Sequence, residues 1–438
     1  MSSKSIFILI LGALFLGNLQ AQQLTLSPYS RYAIGEIRDF ASARNVGMGG
    51  IGVATDNFFS INQVNPASLA DIVYTTLDIS AFGQFNSFRT ENGARNPFTA
   101  GFQNLSFAFP SNKGPVVAFG FAPYSSVGYD ISENTTFQPV KGDTTSYIQR
   151  VNIEGEGGLN QVFLGAAFKM AQKRLRLGVT GRYLFGNTLY KWNYALLESD
   201  SSLLSGSDPL TIVRDVYIKG FSGQAGLMWV DTLDRTKGRY YRIGLNADYS
   251  LNLNGDRYLG LGNTSGTSTD TVRSLEVGDI QVPLKIGAGF MVHQIGKWSY
   301  GADFTYQDWS QLRYFTDTVS LGPEWRVGLG GEWIPNFAGF KYWERVAIRF
   351  GAFYKQTYIN FEDVTLNDYG VTFGFGLPAG RKGNSRFNRG RSTSRINMSF
   401  VLGRRGSLAS GLPVEEYYGH IRLGFNLNER WFVRRVVD

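Results

Sequence analysis

Side chains that commonly carry out covalent or metal chemistry are sparse in this sequence. The 438 residues include no cysteine and two histidines, and His293 and His420 stand far apart in the chain. Protein zinc sites combine three or four Cys, His or carboxylate ligands, so we predict no metal site and no cofactor. The G-x-S-x-G motif, which exposes a nucleophilic serine on a sharp turn, does not occur in the sequence.

Glu154 and Glu156 are the nearest approach to a pair of catalytic carboxylates. Residues two apart on a β-strand face the same side of the sheet, so these side chains could share a proton-transfer task. Strand carboxylates of this kind more commonly meet water or another part of the chain. We therefore predict no catalytic residue and a protein that is not an enzyme.

A second group of charged residues falls on alternate positions of long apolar segments. Its members are Arg176, Arg182, Arg242, Asp248 and Arg422. These side chains could guide the head group of an amphipathic ligand, or they could hydrogen-bond a segment that plugs an interior. We favour the second interpretation.

The segments that carry these charges alternate between apolar and polar residues. In the segment 174–185, leucines and a valine fall on one face, and arginines and a threonine fall on the other. In the segment 242–254, the same period predicts that Leu245 and Leu253 share the apolar face, opposite Asn246. Many such segments in series are typical of membrane β-barrels, whose strands face lipid on one side and the lumen on the other.

Composition also favours a transmembrane barrel over a soluble enzyme. Glycine is abundant at 53 residues, aromatic residues make up 15% and charged residues 18% of the chain. Beyond the N-terminus, no segment reaches the roughly 18 consecutive apolar residues of a membrane-spanning helix. The predicted fold is all-β, a transmembrane antiparallel β-barrel of about 14 strands, an even number as bacterial barrels have. The predicted strands are 72–90, 97–110, 115–130, 147–170, 174–195, 211–231, 239–260, 272–293, 297–313, 322–335, 345–360, 363–379, 394–405 and 415–432.

The N-terminus has the organisation of a secretory signal peptide. Lys4 precedes an apolar run over 6–16 and a small-residue cleavage site that ends at Ala21. We predict a Sec signal peptide over 1–21 and a mature chain that begins at Gln22. The formal charge of +8 does not indicate nucleic-acid binding, because the basic residues scatter into turns instead of clustering on one helix.

A glycine-rich motif lies between the signal peptide and the first predicted strand. Its glycines are Gly47, Gly49, Gly50 and Gly52, and Asn65, Pro66 and Ala67 follow. Glycine permits tight turns and close backbone contacts, and an Asn-Pro step favours a turn. Such a segment cannot form a core of its own, so we predict that it packs inside a larger shell.

This motif resembles the N-terminal hatch of the FadL family, the outer-membrane long-chain fatty acid transporters. In that family a glycine-rich run followed by Asn-Pro-Ala lies inside the barrel. The resemblance implies a hatch over 22–70, a barrel over 71–432 and a periplasmic tail over 433–438. It also implies a place in the outer membrane of a Gram-negative bacterium, in contact with outer-membrane lipids.

The predicted third strand resembles that of the same family, in which a Gly/Pro interruption opens the barrel wall sideways. The corresponding residues are Gly120, Pro123 and Gly128, and Pro123 would remove a ladder hydrogen bond. The resemblance therefore implies a lateral gap near Pro123.

Three leucines stand out in an otherwise polar outer loop: Leu203, Leu204 and Leu210. In the FadL family, apolar outer loops capture hydrophobic ligands. Leucines in a loop could equally pack it onto the barrel rim, and both interpretations stay open.

Two functions follow from the resemblance. The first is passive uptake of a hydrophobic, fatty-acid-like molecule by hatch movement and lateral exit; it is passive because the chain has no nucleotide-binding loop. The second is a non-transporting subunit of a larger outer-membrane machine for protein secretion or barrel assembly, with other proteins as partners. The polar lumen face and basic C-terminal tail suit both functions, and the basic run 381–395 is most simply a solvated loop. We favour uptake at this stage.

Overall fold

We describe the chain from a computed structural model. The structure describes residues 25–38, 40–56, 58–91, 93–111, 114–137, 146–198, 202–204, 207–263, 272–317, 320–361, 364–379 and 393–429. The predicted signal peptide, the predicted tail 433–438 and most of the basic run 381–395 lie outside the described residues.

Strands dominate the described residues. They are β1 (Glu36–Ile37), β2 (Thr75–Thr90), β3 (Gly93–Arg95), β4 (Phe98–Phe109), β5 (Val116–Pro123), β6 (Ser125–Phe137), β7 (Tyr147–Met170), β8 (Leu175–Leu197), β9 (Leu210–Asp234), β10 (Arg239–Asn263), β11 (Val272–Gln281), β12 (Lys285–Gln294), β13 (Trp298–Asp308), β14 (Arg313–Tyr314), β15 (Pro323–Trp333), β16 (Ala347–Phe361), β17 (Val364–Pro378), β18 (Arg395–Arg405) and β19 (Glu415–Glu429).

Helical elements are short. The helix α1 covers Ala43–Val46, and 3-10 helices cover Pro28–Arg31, Pro66–Asp71, Ala171–Lys173, Trp309–Gln311, Trp343–Arg345 and Leu408–Ser410. In the described ranges no helix is long and apolar enough to cross a membrane.

The strands form one antiparallel sheet that closes on itself. Neighbouring strands pair in chain order, and β19 pairs with β2 from Glu415↔Arg89 to Glu429↔Thr75. β5 and β6 are two pieces of one wall strand, as are β11 and β12. The short strands β1, β3 and β14 add no wall strand of their own, so the closed wall has 14 strands. The predicted all-β barrel is therefore confirmed. Thr75 and Glu429 mark the end with mostly short connections, which is the periplasmic end in outer-membrane barrels.

Side-chain exposure alternates along the wall as the sequence predicts. On β10, Leu245 is 50% exposed, whereas its neighbour Asn246 is 8% exposed. Closure explains this difference, since successive side chains of a barrel strand point to the outer surface and to the lumen. Exposed apolar residues on the outer surface thus form the lipid-facing band.

The prediction for Leu253 was wrong. Regular alternation placed it on the lipid-facing side with Leu245, but the pairing of β10 with β9 shifts register between Ser250 and Leu253. An irregularity of this kind turns the following residues over to the other face. Leu253 is consequently fully buried inside the barrel.

Beyond this shift, towards the end of the barrel opposite Thr75 and Glu429, the interior contains an apolar cluster. Leu253 belongs to a buried cluster that includes Ile280, Trp309 and Tyr358 from the wall and Ile34 from the N-terminal segment. We use "N-terminal segment" for the described residues between 25 and 74. Apolar packing therefore fixes the start of this segment inside the barrel.

Candidate functional site: the contact between the N-terminal segment and the barrel wall

The glycine-rich motif is bound to the wall through its backbone. The N–H of Gly49 donates to Thr372 Oγ1 at 2.8 Å, and its carbonyl oxygen accepts from the Arg326 guanidinium at 2.5 Å. Two successive N–H groups, beginning with that of Gly52, donate to one carboxylate oxygen of Asp303 at 2.5 and 2.7 Å. Buried backbone groups need such partners, and here the barrel wall supplies them.

Glycines on both sides bring the two backbones into contact. Gly49 and Gly50 have φ values of +70° and +72°, a left-handed conformation that favours glycine. On the wall, a Cβ at Gly330 or Gly351 would collide with the backbone of Met48. Further wall glycines closely packed against the N-terminal segment are Gly178, Gly226, Gly244 and Gly374. Gly47 of the N-terminal segment faces Gly374 of the wall. The segment and the wall are therefore complementary in shape.

We expect Gly351→Ala to lower the free energy of unfolding by about 1–3 kcal/mol, because an added methyl group in a well-packed contact forces atoms apart. Gly223→Ala on β9 is the matched control, since a Cβ there meets no atom within 4 Å. Denaturant unfolding of both variants in detergent measures the difference. Equal effects of the two substitutions would contradict a tight contact at Gly351.

Asn65 fixes the turn before the 3-10 helix Pro66–Asp71. Its Oδ1 accepts from the N–H of Ala67 at 3.0 Å, and its Nδ2 donates to the carbonyl oxygen of Val53 at 2.7 Å. Pro66 occupies the first turn of the helix, where its missing N–H costs nothing. Asn65, Pro66 and Ala67 are all buried. The Asn-Pro-Ala motif thus ties the glycine-rich motif to the helix that follows.

Asp71, at the end of this helix, is fully buried and binds three cations of the wall. Its carboxylate lies 2.6 Å from Arg242, 2.8 Å from Arg176 and 3.2 Å from Lys169. Burial by itself raises the pKa of the Asp71 carboxyl, but the three cations outweigh it and hold that pKa well below its usual range. The ionised carboxylate in turn compensates guanidinium groups that have lost their water.

A second ionic cluster joins α1 to the wall. Arg44 binds Glu332 at 2.8 Å and Asp56 at 2.9 Å, and Arg349 binds the same Glu332 at 2.6 Å. These side chains are nearly or fully buried. Losing one member would leave buried charge without a partner, so the cluster resists removal of the N-terminal segment.

His293 lies between the two ionic clusters. Its Nε2 accepts from Arg242 Nε at 3.1 Å, and its Nδ1 lies 3.5 Å from Asp56. The other histidine, His420, stacks on Tyr418 with ring centres 4.6 Å apart. Among the described residues, no group of three or more His, Cys, Asp or Glu side chains could hold a metal ion.

The wall strand formed by β5 and β6 is interrupted directly after Pro123. On the opposite strand, Gly157 and Gly158 have φ values of +106° and +144°, and the pairing with β7 shifts by one residue there. On its other side, β4 pairs with β5 over Leu105–Phe109. Among the described pairings none joins β4 to β6, so the wall opens beyond Pro123.

The N-terminal segment covers this opening from the lumen. Its strand β1 pairs with Ser125–Ser126 of β6, and Ser30 Oγ exchanges hydrogen bonds with the backbone of Gly128 at 3.0 and 3.1 Å. A Cβ at Gly128 would collide with the carbonyl group of Thr25, whereas one at Gly120 would meet neighbouring strands. Pro123 thus ends β5 at the interruption and Gly128 contacts the N-terminal segment, whereas Gly120 lies in the part of β5 that is paired on both sides. A lateral exit for a ligand stays a prediction.

All five charged residues selected from the sequence point into the lumen. Arg176 on β8 and Arg242 on β10 bind the carboxylate of Asp71. Arg422 donates to the carbonyl oxygen of Ala41 at 2.7 Å, and the Arg182 guanidinium lies 5.3 Å from the ring centre of Phe40. Asp248 pairs with Arg182. Four of the five thus contact the N-terminal segment, which supports the plug interpretation.

The three outer-loop leucines lie near the end of β8. Leu203 and Leu210 are 55% and 45% exposed, and Leu204 is half-buried. The N–H of Leu204 donates to the carbonyl oxygen of Leu196 at 2.9 Å, so part of the loop folds back on the strand. Ligand capture by these residues stays a prediction.

Glu154 and Glu156, the two strand carboxylates considered from the sequence, line a depression of about 250 Å3. Glu156 is 3.4 Å from Lys191, and Glu154 lines the same depression. Leu26 of the N-terminal segment also lines this depression.

Inside the barrel, a cavity of about 240 Å3 lies between the N-terminal segment and the wall. Its lining combines charged and apolar side chains. The charged ones include Glu36, Arg38, Asp303, Arg326, Asp368 and Arg405, and the apolar ones include Phe40, Phe82, Val282, Phe353 and Val401. Arg405 also links Glu36 of β1 to Asp368 of the wall, at 2.8 and 3.4 Å.

Most of the residues that anchor the N-terminal segment, including Asp71, Asp303 and Glu332, are not distinguished by any pattern in the sequence. One signal could have found the contact surface. Gly330 pairs directly with Gly351, and Gly178 with Gly226, on neighbouring strands. Paired glycines with inward-facing positions mark places where another backbone can approach the wall.

Comparison with known proteins adds a family and a fold. A family model described as BamG matches residues 1–438. Among the curated proteins, none matches the chain. Solved structures that resemble it include a Pseudomonas aeruginosa FadL homologue, with a TM-score of 0.58 and 12% identity over 90% of this chain and 99% of that chain.

Two toluene transporters also resemble the chain, each at 14% identity over 89% of this chain and 98% of theirs. TodX of P. putida has a TM-score of 0.53, and TbuX of Ralstonia pickettii has one of 0.52. At such low identity the likeness concerns the fold. The chain is a FadL-like barrel of the outer membrane, which confirms the resemblance that the sequence suggested.

Proposed function

Because the chain belongs to the BamG family, we propose that it is a non-transporting, FadL-like subunit of an outer-membrane assembly machine. In this proposal the N-terminal segment is a permanent plug. The barrel then contributes a rigid, sealed wall for protein partners.

The observation that carries the proposal is the closure of the lumen by charge and backbone contacts. Asp71 of the N-terminal segment pairs with Arg242 of the wall, and Arg44 of the segment pairs with Glu332 of the wall, both in buried ion pairs. The strand β1 closes the wall interruption. Moving the segment would expose or unpair several buried charges at once, which is strongly unfavourable. A fixed plug suits a structural subunit better than a gate.

Passive uptake of a hydrophobic small molecule is the second candidate. The interruption after Pro123 favours it, since a displaced β1 would leave an open wall edge there. The exposed Leu203 and Leu210 would then form the capture site, and the ligand would leave sideways. This function requires β1 to separate from β6.

A disulfide lock distinguishes the two functions. Ile37 pairs with Ser125 across β1 and β6, and cross-strand neighbours have a Cα separation that a disulfide can span. The chain has no native cysteine, so Ile37→Cys/Ser125→Cys would form a single, defined bond. The two single-cysteine variants and the reduced double variant are matched controls.

We expect the oxidised lock to leave the protein functional in cells and bound to its partners after purification in mild detergent. The reason is that a permanent plug never leaves β6. Uptake of a toluene-like probe should be as low with the protein as without it. Probe uptake that the oxidised lock abolishes, and that reduction restores, would replace the subunit proposal by the transport function.

A further inference from the structure

The connection between β15 and β16 is a well-defined loop at the periplasmic end. Within the loop 334–346, the N–H of Asn336 donates to the carbonyl oxygen of Glu344 at 2.7 Å, and that of Gly339 donates to Asn336 at 2.9 Å. The N–H of Ile334 donates to Lys297 of the neighbouring turn at 2.6 Å. These bonds connect the backbone of the loop internally and to the neighbouring turn.

One side of the loop packs beneath the N-terminal segment. The ring of Phe337 stacks on that of Phe59, with centres 6.1 Å apart and an angle of 13° between planes. The Arg395 guanidinium lies 5.6 Å from the same Phe337 ring. Phe337 therefore anchors the loop at the mouth of the lumen.

The other side of the loop presents aromatic rings to the surroundings. Phe340 is 78% exposed, Trp343 is 75% exposed and Tyr342 is 42% exposed. The rings of Tyr342 and Trp343 pack edge to face with centres 5.6 Å apart, and exposed Lys341 lies between Phe340 and Tyr342 in the chain. Exposed aromatic clusters of this kind mark interaction surfaces.

We propose that this loop inserts its aromatic side into the phospholipid interface of the inner leaflet of the outer membrane. The surface continues the lipid-facing band, because Trp333 ends the strand that leads into the loop and is 46% exposed. Near the same end, Ile295 in the turn between β12 and β13 is 59% exposed, and Tyr300 of β13 is 46% exposed.

The chemistry of the loop fits a lipid interface better than a protein surface. Tryptophan and tyrosine concentrate at the level of the lipid head groups, where a ring is partly apolar and partly hydrated. A lysine beside them complements lipid phosphates, as in membrane-surface segments. The loop thus anchors the periplasmic rim of the barrel, whichever function the lumen serves.

Trp343 provides a direct test in the full-length protein. The wild type and Trp343→Phe are reconstituted into phosphatidylethanolamine/phosphatidylglycerol vesicles that contain brominated phosphatidylcholine. The difference between their emission spectra isolates Trp343 among the eight tryptophans. Trp333→Phe is the matched control for a residue on the lipid-facing band, and iodide in the buffer reports exposure to water.

We expect the Trp343 emission to be quenched by lipids brominated near the head group and to be shielded from iodide, like that of Trp333. Emission quenched by iodide but not by brominated lipid would overturn the proposal. Iodide that quenched Trp343 in pure lipid vesicles but not in native membranes would also overturn the proposal. That result would mean that a protein partner covers the loop.

Discussion

Asp71→Asn should lower the free energy of unfolding by about 3–5 kcal/mol, the largest effect expected for a single substitution in the lumen. The asparagine keeps the shape of the side chain but leaves Arg242, Arg176 and Lys169 without their anion. Arg242 is 1% exposed, so water cannot replace the lost carboxylate. Denaturant unfolding of the refolded protein in detergent measures the change.

Asp231→Asn is the matched control. Asp231 pairs with Arg174 at 3.0 Å, but the Arg174 side chain is 46% exposed. Exposed ion pairs contribute about 0–1 kcal/mol, so this variant should unfold almost as the wild type does. A small effect at both positions would show that the buried cations do not depend on Asp71.

The effect of Asp71→Asn should also depend on pH. An aspartate of the unfolded chain titrates near 3.8, and the pKa of folded Asp71 lies below that value. A carboxyl whose pKa is lowered by folding contributes its full stabilisation above the unfolded pKa and loses it as the pH falls toward the folded pKa. The stabilities of the wild type and the variant should therefore converge below about pH 4.

Leu245→Arg should destabilise the barrel by about 2–4 kcal/mol if Leu245 lies near the middle of the bilayer. The side chain is on the lipid-facing band and 50% exposed, so the guanidinium would have to enter hydrocarbon. Refolding into lipid vesicles over a denaturant series measures the loss.

The matched change on the other face is Asn246→Arg. Asn246 is 8% exposed and lines the charged internal cavity, where Asp248 and Asp303 also lie. We expect a much smaller loss of stability from this variant. Equal losses would mean that the register of β10 is wrong, because a shift of one residue exchanges the two faces.

Apolar–polar alternation predicts most of the barrel, because every wall strand has lipid on one side and the lumen on the other. Twelve of the 14 wall strands lie within three residues of their predicted spans; β10, for example, covers Arg239–Asn263 where 239–260 was predicted. The third wall strand continues to Phe137 where 130 was predicted, and the ninth ends at Asp308 where 313 was predicted. The register shift before Leu253 was not predicted, since apolar and polar residues continue to alternate from Leu245 to Asn254 through the shift. A periodic pattern reports the average strand and not its irregularities.

The anchors of the N-terminal segment were beyond sequence reasoning for a different reason. Asp71 and Arg242 are 171 residues apart in the chain, and nothing in their neighbourhoods indicates that they meet. Their contact depends on how the segment is seated, which tertiary packing decides. The glycine-rich motif was recognisable because close backbone contact restricts residue type at the contact itself.

The measurement that tests the central proposal most directly is depletion of the protein followed by quantification of other outer-membrane barrels. Heat-modifiable electrophoresis separates their folded and unfolded forms, and uptake of a toluene-like probe is measured in the same cells. A subunit of an assembly machine predicts that folded barrels decline while probe uptake stays constant. Unchanged folded barrels together with reduced probe uptake would contradict the account and establish transport.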